Sequence, residues 1–131
     1  MRNEIIIQKI IGYAEKVLRY CEDVSSQSEF SANSMLVESC VFNLSQIGEI
    51  ANKLDNSFTD QYPEIPWRAL YALRNRIVHD YEGVNLTLVW DIVHDDLPGL
   101  VIQLKELQSS FPYFAVDTSG YVFDGEEANE R

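Results

Sequence analysis

The sequence predicts an all-α protein, an up-and-down antiparallel bundle of four to five helices. Apolar residues recur at steps of three and four along most of the chain as far as residue 107. The connections between these periodic segments are mostly short, which favours antiparallel neighbours. A length of 131 residues suits one domain with a sizeable core. We therefore expect a helical domain over residues 1–110 and a short irregular or hairpin extension over residues 111–131.

Two long helices are predicted in the first half of the chain. The first covers Glu4 to Asp23, and its apolar face comprises Ile6, Ile10, Tyr13, Val17 and Tyr20. A polar connection follows, and Ser28 is a suitable N-cap for a second helix over Glu29 to Leu54. Gly48 lies inside this helix at a cost of about 1 kcal/mol relative to alanine. It indicates either a backbone passing close by or a tolerated defect.

A loop over residues 55–65 separates the second helix from a third. Pro66 suits the first turn of the third helix, because its missing N–H would be unpaired there in any case. This helix is predicted to run from Trp67 to His79 or Tyr81.

The fourth helix is predicted over residues 86–107, with Asn85 as its N-cap. Pro98 should kink it, because proline removes a backbone hydrogen bond. Beyond it, residues 114–123 resemble a small hairpin around a Ser-Gly turn, and residues 125–131 form an acidic tail.

The composition excludes several classes of protein. With 46% hydrophobic and 24% charged residues and few glycines and prolines, the chain is neither disordered nor collagen-like. Ten Lys and Arg oppose 21 Asp and Glu, giving a formal net charge of −11. Taken alone, this charge argues against nucleic-acid binding, which depends on cations. The total does not say where the ten cations lie, so the inference stays open.

The two cysteines and the N-terminus indicate a cytoplasmic protein. Cys21 and Cys40 form no CxxC pair and are expected to be reduced and buried, although a disulfide remains an alternative. The apolar run at the N-terminus is interrupted by Gln8 and Lys9, unlike a signal peptide. No stretch reaches the roughly 18–20 apolar residues of a membrane span.

One segment, PWRALYALRNRIVHDYE over residues 66–82, differs from an ordinary bundle helix. It contains Arg68, Arg74 and Arg76, and no acidic residue lies between Glu64 and Asp80. Residues 80–104, in contrast, contain five acids and no lysine or arginine. The segment is therefore a local positive patch in an acidic protein.

The spacing within this patch leaves two interpretations open. On a continuous helix Arg74 and His79 would lie about 140° apart, whereas Asn75 and His79 would share a face. Arg74 and Tyr81, seven residues apart, would also share one. Alternatively, His79 is a histidine favoured by the dipole at a helix C-terminus, and the arginines pair with surface acids. The other histidine, His94, is expected on a solvated edge, since no metal-ligand pattern surrounds it.

The octapeptide RNRIVHDY fits the pattern Arg-x4-His-x-Tyr, with Arg74, His79 and Tyr81 at the defining positions. It resembles the signature of HepT-like toxins of the HEPN superfamily of small helical ribonucleases. SQIGEIANKL, YPEIPWRALYALRNRIVHDY and VWDIVHDDLPGLVIQL resemble the successive blocks of that family in the right order. The resemblance covers residues 4–107.

This resemblance implies a homodimer in which two motif copies form a cleft that cleaves RNA without metal or cofactor. His79 would act as general base or acid, and Arg74 would hold the scissile phosphate. Asn75 would orient the substrate or His79, and Arg76 would be a supporting phosphate contact. The alternative is a non-catalytic helical module that docks a nucleotidyltransferase.

The resemblance also implies the toxin component of a type II or type VII toxin–antitoxin system. Its partner would be an MntA-like nucleotidyltransferase antitoxin that transfers AMP to Tyr81, placing a bulky anion beside Arg74 and His79. One departure is Asp80, where the family often has a small residue; its charge would raise the His79 pKa or weaken RNA binding. Together with the acidic remainder of the chain, this predicts a narrow RNA site.

Overall fold

A computed structural model of the protein describes residues 2–79 and 83–111, with the backbone alone at His79. Over these residues the chain is mainly helical and has little sheet, which confirms the predicted all-α class. In chain order, the elements are α1 (Arg2–Tyr20), α2 (Gln27–Ser31), α3 (Ser34–Ala51), α4 (Asn56–Thr59), α5 (Trp67–Tyr71), α6 (Leu73–Ile77), β1 (Val78–His79), β2 (Gly83–Val84), α7 (Leu86–Asp91), a π-turn (Ile92–Asp96) and α8 (Leu97–Ser109).

The long helices α1, α3 and α8 build the core, and α1 packs against both of the others. At the start of α1, Arg2 and Asn3 bond to Asp55, just beyond the end of α3, so these two helices run antiparallel. Each long helix buries one apolar stripe, as its periodicity predicts. The fully buried side chains include Ile7, Ile10, Val17, Leu44, Ile47 and Leu104.

The prediction of the second helix is wrong in one respect, because the chain forms two helices, α2 and α3, where one was expected. Ser26, and not Ser28, is the N-cap of α2, since its side chain accepts a hydrogen bond from the Glu29 N–H. Asn33 then leaves helical geometry (φ −106°, ψ 92°) and caps α3 by accepting from the Leu36 N–H. The short helix α4 also lies within the predicted loop of residues 55–65.

The fourth predicted helix begins where expected but is not continuous. Asn85 is the N-cap of α7, and its side-chain oxygen accepts from the Leu88 N–H at 3.1 Å. Pro98 stands in the first turn of α8, directly after the π-turn. Because proline has no N–H, the carbonyl of His94, four residues earlier, loses its usual hydrogen-bond donor. The helix is interrupted at this point, and the π-turn lies there.

Cys21 and Cys40 are buried free thiols that lie between α1 and α3, with their sulfur atoms 3.6 Å apart. Their mutual hydrogen bond lowers the pKa of Cys21 and raises that of Cys40. Over the described parts of the chain, no helix is both long and apolar enough to cross a membrane. The predicted C-terminal hairpin lies outside the described residues.

Candidate active site

The predicted third helix is broken into α5 and α6 at Ala72, where φ is −91° and ψ is 1°. Aromatic contacts fix its start: the Trp67 indole N–H donates to the Tyr62 carbonyl at 2.9 Å, and the ring of Phe58 packs on both side chains. The start of α5 is therefore fixed by an aromatic cluster.

Gly48 allows α6 to lie directly against α3. A Cβ atom at Gly48 would stand 3.3 Å from the Leu70 carbonyl oxygen and 3.4 Å from the Leu73 Cβ. The Asn52 side chain strengthens the contact by donating to the carbonyls of Gly48 and Tyr71, at 2.8 and 3.3 Å. Of the two readings of this glycine, a closely passing backbone is therefore the right one.

The polar residues of the motif face outward from α6. Leu73 and Ile77 are buried, whereas Arg74, Asn75 and Arg76 are exposed. Within residues 2–79 and 83–111, neither Arg74 nor Arg76 forms an ion pair. The alternative in which these arginines serve as surface salt-bridge partners finds no support there, and both guanidinium groups are open to an anion.

The helix does not reach His79, which corrects the predicted end at His79 or Tyr81. It ends at Ile77, and Val78 is already extended (φ −116°, ψ 120°). Val78 and His79 pair antiparallel with Val84 and Gly83, where Gly83 adopts a φ of +81° that favours glycine.

Because α6 ends at Ile77, the angles predicted between side chains on a continuous helix do not apply. Asn75 and His79 do not share a helical face, and the expected 140° between Arg74 and His79 does not apply, because His79 lies in a strand. The Asn85 N–H donates to the Ile77 carbonyl at 2.9 Å and fixes the point where the helix gives way to the strand. Asp80, Tyr81 and Glu82 lie outside the described residues.

Arg76 lines a groove of about 640 Å³ between α5–α6 and the π-turn with α8. Because Arg74 and Arg76 are two residues apart, their side chains leave α6 about 160° apart. Arg74 therefore lies on the side of α6 away from the groove. Other lining residues include Asp95, Asp96 and Gln103, which the motif gave no reason to select; the signal that was available is the pair of acids shortly before Pro98.

His94 is exposed, and its Nδ1 lies 2.9 Å from Asp95 Oδ1. Its ring stacks on Trp90 with centroids 5.1 Å apart. No group of three or more histidine, cysteine or acidic side chains within the described ranges is arranged to hold a metal ion.

Comparison with known proteins places this chain in a family. The family model described as "Ribonuclease HepT-like" matches residues 10–107, so the chain belongs to the HepT-like family of the HEPN superfamily.

Several relatives carry names beginning "Putative RNase", and two of them are described here. One, from Methanocaldococcus jannaschii, is 33% identical over 91 residues, covering 70% of this chain and 83% of the relative. The other, from Caldanaerobacter subterraneus, is 28% identical over 101 residues, covering 72% and 90%. A third, named "Probable ribonuclease HepT", from Thermococcus cleftensis, is 36% identical over 62 residues, covering 47% and 56%. No solved structure gives a significant match.

Proposed function

We propose that this protein is a metal-independent endoribonuclease that cleaves RNA with Arg74 and His79. The observation that carries the proposal is the exposed Arg74, without an ion-pair partner among the described residues, five positions before a histidine in a HepT-like chain. The names of the relatives support the same activity.

The reaction is a transfer of phosphate within the RNA strand. One His79 imidazole takes the proton of a ribose 2′-OH, and the 2′-oxygen attacks the adjacent phosphorus. The bond to the 5′-oxygen breaks, and that oxygen takes a proton from a second imidazole. The products are a 2′,3′-cyclic phosphate and a free 5′-OH, so no water, metal or cofactor is consumed. Arg74 binds the non-bridging oxygens, where negative charge increases in the transition state, and Asn75 and Arg76 are supporting residues.

A homodimer supplies the second imidazole and a second Arg74. An apolar patch on α1 and α3 suits a second copy, because Met35 is 79% exposed, Phe42 60% and Tyr20 46%. Lys16 and Glu38 border the same patch, so a two-fold axis would pair opposite charges. Phe42 precedes Gly48, where α6 packs, by about 9 Å along α3 and lies about 120° from it around the helix axis. The proposal requires that this dimer bring the two copies of Arg74 toward one cleft.

The dimer is tested by Phe42→Glu, with Ile102→Glu as the matched control, since both side chains are 60% exposed. Sedimentation at micromolar concentration should show a dimer for the unmodified protein and for the control. Phe42→Glu should be monomeric and should lose RNA cleavage at the same time. A monomeric unmodified protein contradicts the dimer.

Catalysis is tested on a labelled RNA in EDTA with His79→Ala, Arg74→Ala and the exposed control Arg19→Ala. Loss of a general acid–base or of a phosphate clamp should slow cleavage about 10²- to 10⁴-fold. Arg19→Ala should cleave at the unmodified rate. Absence of cleavage by every variant and by the unmodified protein, with tight binding to a nucleotidyltransferase, would favour the non-catalytic module.

The protein acts as the toxin of a type II or type VII toxin–antitoxin pair, neutralised by an MntA-like nucleotidyltransferase. In that step the Tyr81 phenol oxygen attacks the α-phosphorus of ATP, the α–β anhydride bond breaks, and pyrophosphate leaves. The attached AMP would compete with RNA phosphate for Arg74. Mass spectrometry after co-expression with an MntA-like nucleotidyltransferase should show one AMP on the Tyr81 peptide; an unmodified peptide in every preparation contradicts this step.

A further inference from the structure

The groove beside Arg76 is open because small residues line it on both helices. Ala69 on α5 and Gly99 on α8 are exposed, and a Cβ at Gly99 would meet no atom within 4 Å. Its floor is apolar and consists of Leu70, Leu73, Leu97 and Leu100. A volume of about 640 Å³ with an apolar floor and a few polar groups at the rim is typical of a binding site.

The rim of this groove is acidic. Asp95 and Asp96 are both exposed on it, and Arg76 is the one cation among the described residues that line the groove. Asp95 has His94 as its neighbour, whereas Asp96 has no ion-pair partner in the part of the chain that the structure describes. Two carboxylates against one guanidinium leave an excess of negative charge, which favours a cationic ligand.

The π-turn adds an independent indication of function. It places Ile92 in the floor and Asp95 and Asp96 at the rim of one groove. Such turns cost hydrogen-bond geometry and occur frequently at functional sites. Apart from Arg76, which borders both sites, the groove lies away from the proposed catalytic face, since Arg74 leaves α6 about 160° from Arg76.

We propose that the groove binds a segment of a protein partner in which a leucine-sized apolar side chain is flanked by lysine or arginine. The apolar side chain fills the space between Ala69 and Gly99, and the flanking cation lies on Asp95 and Asp96. RNA is disfavoured because its phosphates would face these two carboxylates. The chain's own residues 112–131 are disfavoured because they hold five acids and one arginine. A second copy is disfavoured because the proposed dimer uses the patch on α1 and α3, and because its own groove carries the same excess of carboxylates.

This inference goes beyond RNA cleavage and does not depend on it, so binding is the measurement. Full-length protein is used to select from a phage-displayed library of random twelve-residue peptides, with Gly99→Trp protein as the parallel target. The tryptophan fills the groove without disturbing the backbone, since the position is open. Selected peptides should share an apolar residue next to lysine or arginine, and should be enriched at least tenfold over the parallel selection.

The strongest selected peptide is then measured by fluorescence polarisation against three variants. Gly99→Trp should abolish binding, and Asp96→Lys should weaken it at least tenfold. Gly12→Trp should bind as the unmodified protein does, because Gly12 is an equally open helical glycine outside the groove. Circular dichroism confirms that each variant is folded, and Ala69→Trp, from the opposite wall, replaces Gly99→Trp if that variant unfolds.

Three results would overturn the proposal. Equal selection by unmodified and Gly99→Trp protein would place peptide binding elsewhere. A consensus rich in aspartate or glutamate would contradict the role of the acidic rim. Binding of a twelve-nucleotide single-stranded RNA that Gly99→Trp abolishes would assign the groove to nucleic acid. None of these results bears on whether Arg74 and His79 cleave RNA.

Discussion

The bundle helices α1, α3 and α8 differ from the segment Pro66–Val84 in how they are held. Each bundle helix has 13 to 19 residues and buries a continuous apolar stripe. The segment consists of two five-residue helices and two two-residue strands, and its supports include the hydrogen bond of Trp67, the close approach to Gly48 and the hydrogen bond from Asn85. Helices this short are unstable alone, so the bundle must support them. Stability is therefore concentrated in the bundle, whereas the segment carries Arg74 and Arg76, which are exposed and have no ion-pair partner among the described residues.

The largest effect on stability should come from the bundle core. Leu104 is fully buried on α8, and Leu104→Ala should lower the free energy of unfolding by about 3 kcal/mol, because it removes apolar contacts and leaves a cavity. Ile102, on the same helix, is 60% exposed, and Ile102→Ala should change it by less than about 0.5 kcal/mol. Urea denaturation at one fixed protein concentration measures both. Equal losses would mean that α8 is not packed as described.

A second prediction concerns the contact between the two regions. Gly48→Leu places a side chain against the Leu70 carbonyl and Leu73, and the backbone there cannot yield easily. We expect a loss of about 2 kcal/mol from overpacking, together with slower RNA cleavage as α6 is displaced. Gly12→Leu, at a position with no atom within 4 Å, should be neutral or stabilising by up to about 1 kcal/mol. A stable, fully active Gly48→Leu would show that the segment does not depend on this contact.

The sequence predicted the bundle well because its signals are local. The stripe of α1 and the cap at Asn85 depend on residues within one or two turns. The break at Asn33 was missed although Asn33 is a residue typical of an N-cap, because the seven-residue spacing from Phe30 to Val37 fits one continuous helical stripe.

The candidate site was less predictable, because its geometry depends on distant contacts. The residues of the Arg-x4-His motif were identified by resemblance, but their arrangement on one helix was wrong. No residue directly beside His79 signals the end of α6. The strand forms because Val78 and His79 pair with Gly83 and Val84. Position 83 has a φ of +81°, which glycine alone readily adopts. The groove depends on Ala69 and Gly99, which are far apart in sequence, and was not predicted.

The smallest expected effect is the loss of a helix N-cap, which distinguishes a local loss of order from a loss of overall stability. Asn85→Ala removes the N-cap of α7, and Asn33→Ala removes the N-cap of α3; each should cost about 1 kcal/mol. The two losses should differ in hydrogen exchange, because short elements open locally more easily than long ones. Asn85→Ala should accelerate exchange at Val84 and Leu88 well beyond the global change, whereas Asn33→Ala should accelerate exchange at the start of α3. Uniform acceleration over the whole chain by Asn85→Ala would contradict the comparison, since it would make the segment and the bundle one cooperative unit.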